Sequence, residues 1–289
     1  MVRLIRMPCT GAMTENPILI LGGTGKTGGR IADRLTARGV PVRIGSRSAE
    51  PAFHWEDDST WAPVLRGAAA VYIAYYPDIG AAGASTTVGS FAKLAVSLGV
   101  TRIVLLSGRG EQEAERSEQA VRESGAEWTV LRASWFAQNF SESFLLDPVL
   151  SGQVRLPAGA VVEPFVDVDD IADVAVAALT EPGHVGELYE LTGPYAVSFA
   201  DAIAEISAAS GREISYEKIS IDEFAAGLAH EIGDQPEYID FLKYLFTDIL
   251  DGRNAQPQDG VRRALGREPR SFRDYAKTAA ATGVWATNA

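Results

Sequence analysis

The run from Pro17 to Gly29, PILILGGTGKTGG in one-letter code, leaves few folds open to this chain. Ile18, Leu19, Ile20 and Leu21 form an unbroken apolar stretch, the pattern of a strand buried on both faces. Glycines and threonines follow, then residues 30–38, in which Ile31 and Leu35 stand one helical turn apart and Gly39 supplies a stop. Strand, glycine turn and helix in that order present a helix N-terminus to an anion. Free backbone N–H groups and the positive end of the macrodipole both point at it. Gly23, Gly25 and Gly28 fit G-x-G-x-x-G, and Gly22, Gly25 and Gly28 fit the wider G-x-x-G-x-x-G. These glycines permit a tight turn, close approach of backbone to pyrophosphate, and close packing of helix on strand. Gly25-Lys26-Thr27 also invites a P-loop reading, but that motif needs a glycine five residues before Gly25, where the chain has Ile20. Dinucleotide binding is the expectation that remains.

The chain that follows keeps the same rhythm. Residues 41–44, 69–76, 101–108 and 127–132 read as strands, with helices over residues 84–98 and 112–124 between the later ones. Such alternation predicts an α/β fold, a doubly wound parallel sheet of the Rossmann kind with helices on both faces. Beyond Arg132 the alternation breaks, and residues 133–140 are expected to leave the sheet as a loop running into a helix. We expect residues 14–140 to form the dinucleotide-binding domain, with 161–193 returning to it. Residues 141–160 and 194–289 form a smaller α+β substrate-binding cap, and 1–13 a disordered tail. The apolar, aromatic helix over residues 238–246 can line a pocket for an apolar or aromatic substrate, or simply pack cap against sheet.

Composition narrows the partners. With 289 residues, 46% of them hydrophobic, the chain can bury a large core, and its net charge of −12 makes nucleic acid a poor direct partner. A single cysteine, Cys9, excludes an internal disulfide and fits a cytoplasmic location. His54, His184 and His230 have no metal-ligand spacing, so no metal is expected. No apolar run reaches the roughly 20 residues that span a bilayer, so no membrane partner is expected.

The end of the second strand bears on which nicotinamide cofactor fits. An NAD site places an acid about 20 residues after the glycines for the ribose hydroxyls, whereas an NADP site uses Arg and small polar groups for the 2′-phosphate. Here the strand runs into Gly45, Ser46 and Arg47, and no carboxylate appears before Glu50. A guanidinium grips a phosphate that an acid would repel, and NADP(H) is the expected cofactor. The plainer alternative leaves Arg47 as a solvated loop residue and Glu50 on the ribose.

With these residues collected, the chain resembles the NmrA-like branch of the atypical short-chain dehydrogenase/reductase family. The resemblance covers nearly the whole length after Met13 and rests on five stretches: residues 22–28, 105–107, 123–132 (ESGAEWTVLR), 164–172 (PFVDVDDIA) and 265–272 (LGREPRSF). It implies NADP(H) bound between the strand ends by Gly22, Thr24, Gly25, Lys26, Thr27 and Gly28. Ser46, Arg47, Trp55, Ala74, Tyr75, Ser107, Ala133, Ser134 and Phe136 complete the implied set. Similar proteins reduce quinones, azo dyes, isoflavonoids or alkaloid iminium groups, while others only sense the redox state of the cofactor pool.

One departure from the family matters for chemistry. Ordinary members of the wider family donate the proton from a Tyr-x-x-x-Lys pair. The residues four positions before Lys26, Lys93, Lys218, Lys243 and Lys277 are Gly22, Gly89, Ile214, Ile239 and Arg273, so this chain carries no such pair. Two readings follow. In one, NADPH passes hydride to an acceptor with its own electron sink, with Ser107 donating a hydrogen bond to it and residues 134–139 walling the pocket. In the other, the protein is a catalytically silent NADP(H) sensor that regulates a partner. The acids of residues 167–170 are expected as a helix cap and first-turn residues rather than catalysts.

Overall fold

A computed structural model describes residues 16–233 and 235–286. The tail expected over residues 1–13 lies outside them. β1 (Ile18–Leu21) leads through the glycine turn into α1 (Lys26–Ala37), β2 (Val42–Gly45), a short 3-10 turn and α2 (Trp61–Leu65). β3 (Ala70–Ile73), α3 (Ala84–Ser97), β4 (Arg102–Gly108), α4 (Gln112–Arg122) and β5 (Glu127–Ala133) continue the alternation. After α5 (Asn139–Glu142), α6 (Leu146–Ser151), β6 (Gln153–Leu156) and β7 (Val162–Glu163), α7 (Val168–Thr180) and β8 (Glu187–Leu191) return to the sheet. The remainder is β9 (Val197–Ser198), α8 (Phe199–Ser210), β10 (Ser215–Lys218), α9 (Ile221–Ile232), α10 (Pro236–Tyr244), a π-turn over Leu245–Ile249, α11 (Gly260–Leu265) and α12 (Phe272–Ala281).

The main sheet has the order β2-β1-β3-β4-β5-β8, and every pairing in it is parallel. It is the doubly wound sheet expected from the alternation. Because successive side chains on a strand point to opposite faces, β1 feeds two cores at once. Ile18 and Ile20 pack with Ile31 and Leu35 of α1 and with the apolar face of α7, whereas Leu19 and Leu21 pack with α2, α3 and α4. That is why the first strand is apolar throughout. The order turns at β1, whose neighbours are β2 and β3, and a crevice opens there at the strands' carboxyl ends.

A third core lies over those strand ends. Phe140, Phe165, Phe199, Phe246 and Phe272 meet there with α8, α12 and the parallel pair β6–β10. One stretch of the expected cap belongs elsewhere: α11 packs on β8 and α7, so the chain crosses back to the sheet before α12 rejoins the aromatic core. Val261 and Leu265 give α11 an apolar edge to bury against that layer. The two parts are stapled by charge. Asp167 caps α7, accepting from the Asp169 amide at 2.8 Å, and Arg34 of α1 reaches Asp169 and Asp173 at 2.5 and 2.8 Å. Arg267 pairs with Asp170 and Asp173 at 2.7 and 2.6 Å, and Arg270 binds both acids too. The acids after the short Phe165–Val166 segment are therefore structural.

Candidate active site

The turn after β1 is tighter than its sequence spacing shows. Gly22 has a φ of +68°, open to glycine at little cost, and its carbonyl accepts from the Gly25 amide at 2.8 Å. α1 begins at Lys26, inside the glycine run and ahead of residues 30–38, where periodicity alone places it. Gly28 allows this. A Cβ there would stand 2.7 Å from the Gly22 carbonyl carbon and 2.9 Å from Gly23 Cα, so no other residue lets the helix seat so close to the strand. Gly25 caps the helix with no side-chain partner and no acid occupies the first turn, which leaves the first amides open to an anion.

From this turn a cleft of about 1080 Å³ runs along the strand ends to α10. Of the expected cofactor residues, Gly22, Thr24, Gly25, Lys26 and Thr27 line it at the turn, Ala74 and Tyr75 after β3, Ser107 in β4, and Ala133, Ser134 and Phe136 after β5. Gly28 lies behind the turn. Trp55 is absent from the wall: it sits 92% buried in a ring cluster with Phe53, Trp61 and Phe91, and reaches the cleft only by backing Tyr75 at 4.8 Å between centroids. Ser46 and Arg47 are not among the lining residues; the exposed Arg47 guanidinium lies 5.5 Å from the centre of the Tyr76 ring, itself a lining residue. The helix read over residues 238–246 lines the far end through Tyr238, Phe241 and Leu242. The π-turn after it adds Leu245 and Ile249.

Two side chains at the cleft are held from behind. The Ser107 hydroxyl donates to Glu118 Oε1 at 2.7 Å, so its proton is already engaged and is not aimed at a substrate. Glu118 is fully buried and also receives Arg132, Nε at 2.8 Å and Nη2 at 2.6 Å, a bidentate pair that ties α4 to β5 under the cleft floor. Ser134 donates to Glu163 Oε1 at 2.5 Å, and burial pushes the Glu163 carboxyl up to about 7. Arg109 is buried and donates to the carbonyls of Asn254 and Gln256, which fixes the chain that follows the π-turn. At the turn, burial lowers the Lys26 amine, and Arg30 one turn on is paired with Glu142 of α5 at 2.6 Å.

Sequence reasoning missed Asp78 and Glu111, which also line the cleft. Each stands within a few residues of a strand's carboxyl end, β3 for Asp78 and β4 for Glu111. That position, rather than any motif, is the signal that could have found them. Among the described residues no cluster of three or more His, Cys, Asp or Glu could hold a metal, and no helix is long and apolar enough to cross a membrane.

Comparisons with known proteins agree with this geometry. Residues 22–182 match the NAD(P)H-binding family. An uncharacterized oxidoreductase of Bacillus subtilis, YesF, is 37% identical over 94% of this chain and 99% of its own length. The triphenylmethane reductase of a Citrobacter species, solved with NADP(H), superimposes with a TM-score of 0.72 at 19% identity, covering 91% of this chain and 99% of that one. NmrA, a negative transcriptional regulator, does so with a TM-score of 0.64 at 16% identity, over 91% and 94% of the two chains. Those last two likenesses speak for the fold.

Proposed function

The chain belongs to the NAD(P)H-binding family, and on that premise we propose that it is an NADPH-dependent reductase of the NmrA-like type, acting on a small conjugated acceptor: a quinone, an azo compound or an iminium-like group. One observation carries the reading: the cleft runs on beyond the residues we assign to the cofactor. It continues past Phe136 to a wall of Phe144, Tyr238, Phe241, Leu242 and Leu245, an apolar room that cofactor sensing alone does not need.

When bound, NADPH supplies the hydride. The protein's part is to bind and orient. The bare amides at the start of α1 take the pyrophosphate, and Lys26 adds charge there. Arg47, with Ser46 beside it and no acid before Glu50, takes the 2′-phosphate. Ser107, its hydroxyl turned to Glu118, supports the strand end and presents backbone to the cofactor. The absence of a Tyr-x-x-x-Lys pair fits an acceptor that stores the electrons in its own conjugation. The aromatic wall holds such an acceptor flat and excludes water.

Two measurements test this. NADPH is expected to bind at least tenfold tighter than NADH, and Arg47→Glu to abolish the difference; equal affinities in the unmodified protein remove the NADPH assignment. Loss of nicotinamide absorbance with a panel of quinones, azo dyes and imines reads turnover. Tight NADPH binding with no turnover on any of them favours the sensor.

A further inference from the structure

We propose that the Asp78–Glu111 carboxyl pair is a subsite for the positive charge of an aromatic cation, so that the cleft prefers a cationic ring to a neutral ring of the same shape. The inference rests on the reading of the cleft as an acceptor site, and it names which acceptors that site takes.

The pair is built, and it lacks a counter-ion. Glu111 is 93% buried, and its Oε2 has no hydrogen-bond partner. Its carboxyl is wedged between two glycines. A Cβ at Gly80 would stand 3.0 Å from Glu111 Cδ and nearer still to Oε2; one at Gly108 would stand 2.8 Å from Cδ and nearer still to Oε1. Asp78 converges on the same spot, its Oδ1 accepting from the Gly80 amide at 2.8 Å. Among the described residues no Lys or Arg makes an ion pair with either acid. Arg109, adjacent in sequence, is committed to Glu190 and to the carbonyls of Asn254 and Gln256. A buried carboxylate left in this state is costly unless it takes a proton or a cation. Burial pushes Asp78 up to about 6, and burial together with the Asp78 charge pushes Glu111 up to about 8.

The surroundings select the kind of cation. Among the described residues no third His, Cys, Asp or Glu stands with the pair as a metal site of such side chains needs. Tyr76, 60% exposed, and Tyr238, 38% exposed, both line the cleft. Aromatic faces attract cations, and the Arg47 guanidinium already lies over the Tyr76 ring. A flat cation can thus stack on tyrosine while its charge meets the acids.

The test uses NADP⁺-saturated protein and two isosteric probes, 1-methylquinolinium and neutral 1-methylnaphthalene, with dissociation constants measured by calorimetry at pH 9 and pH 5. At pH 9 both acids are ionised, and the cation is expected to bind at least tenfold tighter than the neutral ring. At pH 5 both are protonated, and the advantage is expected to fall below twofold. The other titratable and charged groups near the pair are Tyr244, whose phenol is pushed up by burial first and then by Glu111, Asp248 and Asp78 and which stays neutral throughout, and Asp248 and Arg253. Glu111→Gln and Asp78→Asn are each expected to erase the advantage at pH 9. Equal binding of the two probes to unmodified protein at pH 9 overturns the proposal, as does an advantage that survives both variants. These are binding readouts, so a failure of turnover with every acceptor defeats the reductase and leaves the cation subsite to be judged by the probes alone.

Discussion

At the scale of single residues, the site depends on atoms that are missing as much as on those present. Gly28 is the sharpest case. Adding a methyl group there drives it into the backbone of Gly22 and Gly23, and repacking of that kind costs about 1–3 kcal/mol. Gly28→Ala is expected to lower thermal stability by that order and to weaken NADPH binding more than tenfold, as titration of nicotinamide fluorescence will show. Normal affinity in a folded Gly28→Ala protein would refute the cradle. The buried acids make a second prediction. Asp78, Glu163 and Glu111 hold their protons to about 6, 7 and 8, well above their values in an unfolded chain. Their contribution to stability is therefore present at low pH and lost as pH rises through that range. Glu111→Gln, which keeps the shape without the charge, is expected to gain stability relative to the unmodified protein as pH rises from 5 to 9. Melting curves at the two pH values check this; a gap that does not widen with pH contradicts it.

At the scale of elements, the floor of the cleft is held by a clamp between α4 and β5. Glu118 is buried with Ser107, Arg122 and Arg132 around it, and Arg132 reaches on to Glu190 of β8 at 3.2 Å. Removing one member of a buried pair leaves its partner desolvated, so Glu118→Ala is expected to cost about 3 kcal/mol of unfolding free energy in urea. Ser107→Ala removes one hydrogen bond to the Glu118 carboxylate and is expected to cost about 2 kcal/mol. It should leave turnover within about twofold, since at that position the cofactor meets backbone; a large loss of kcat would return the hydroxyl to the chemistry. Much at this scale was legible in the sequence. Strands β1 to β5 and the helices α3 and α4 follow from apolar runs and 3.6-residue periodicity, whereas β8, the sixth strand of the sheet, has no such reading. The start of α1 was not, because a run of glycines has no side-chain period to read.

At the scale of the whole molecule, the ligand is expected to add to stability. A cofactor bound at a hundred times its dissociation constant contributes about 2.7 kcal/mol. For a chain of this size that raises the melting temperature by about 5 °C. NADPH and NADH at equal concentration, compared by calorimetry, should separate by their difference in affinity, and no shift with either denies that the cleft binds a nicotinamide nucleotide. The cap shows what a linear reading misses at this scale. Residues 238–246 announce an apolar helix, but only its packing over the strand ends brings Tyr238 to the cleft that Tyr76 also lines. Likewise residues 194–289 read as cap throughout, and the place of α11 on β8 and α7 comes from the path of the chain.

The sequence by itself determined the parallel α/β sheet, the glycine turn and the absence of an acid at the end of β2. Those features are written in local spacing, in which neighbours along the chain are neighbours in space. The tertiary structure alone decided that Ser107 turns away to Glu118, that Trp55 backs Tyr75 without joining the wall, and that Asp78 and Glu111 share a pocket without a counter-ion among the described residues. Each of those outcomes joins residues from different strands or loops. Burial, which sets both the direction of a side chain and the protonation of a carboxyl, exists only after the elements have packed.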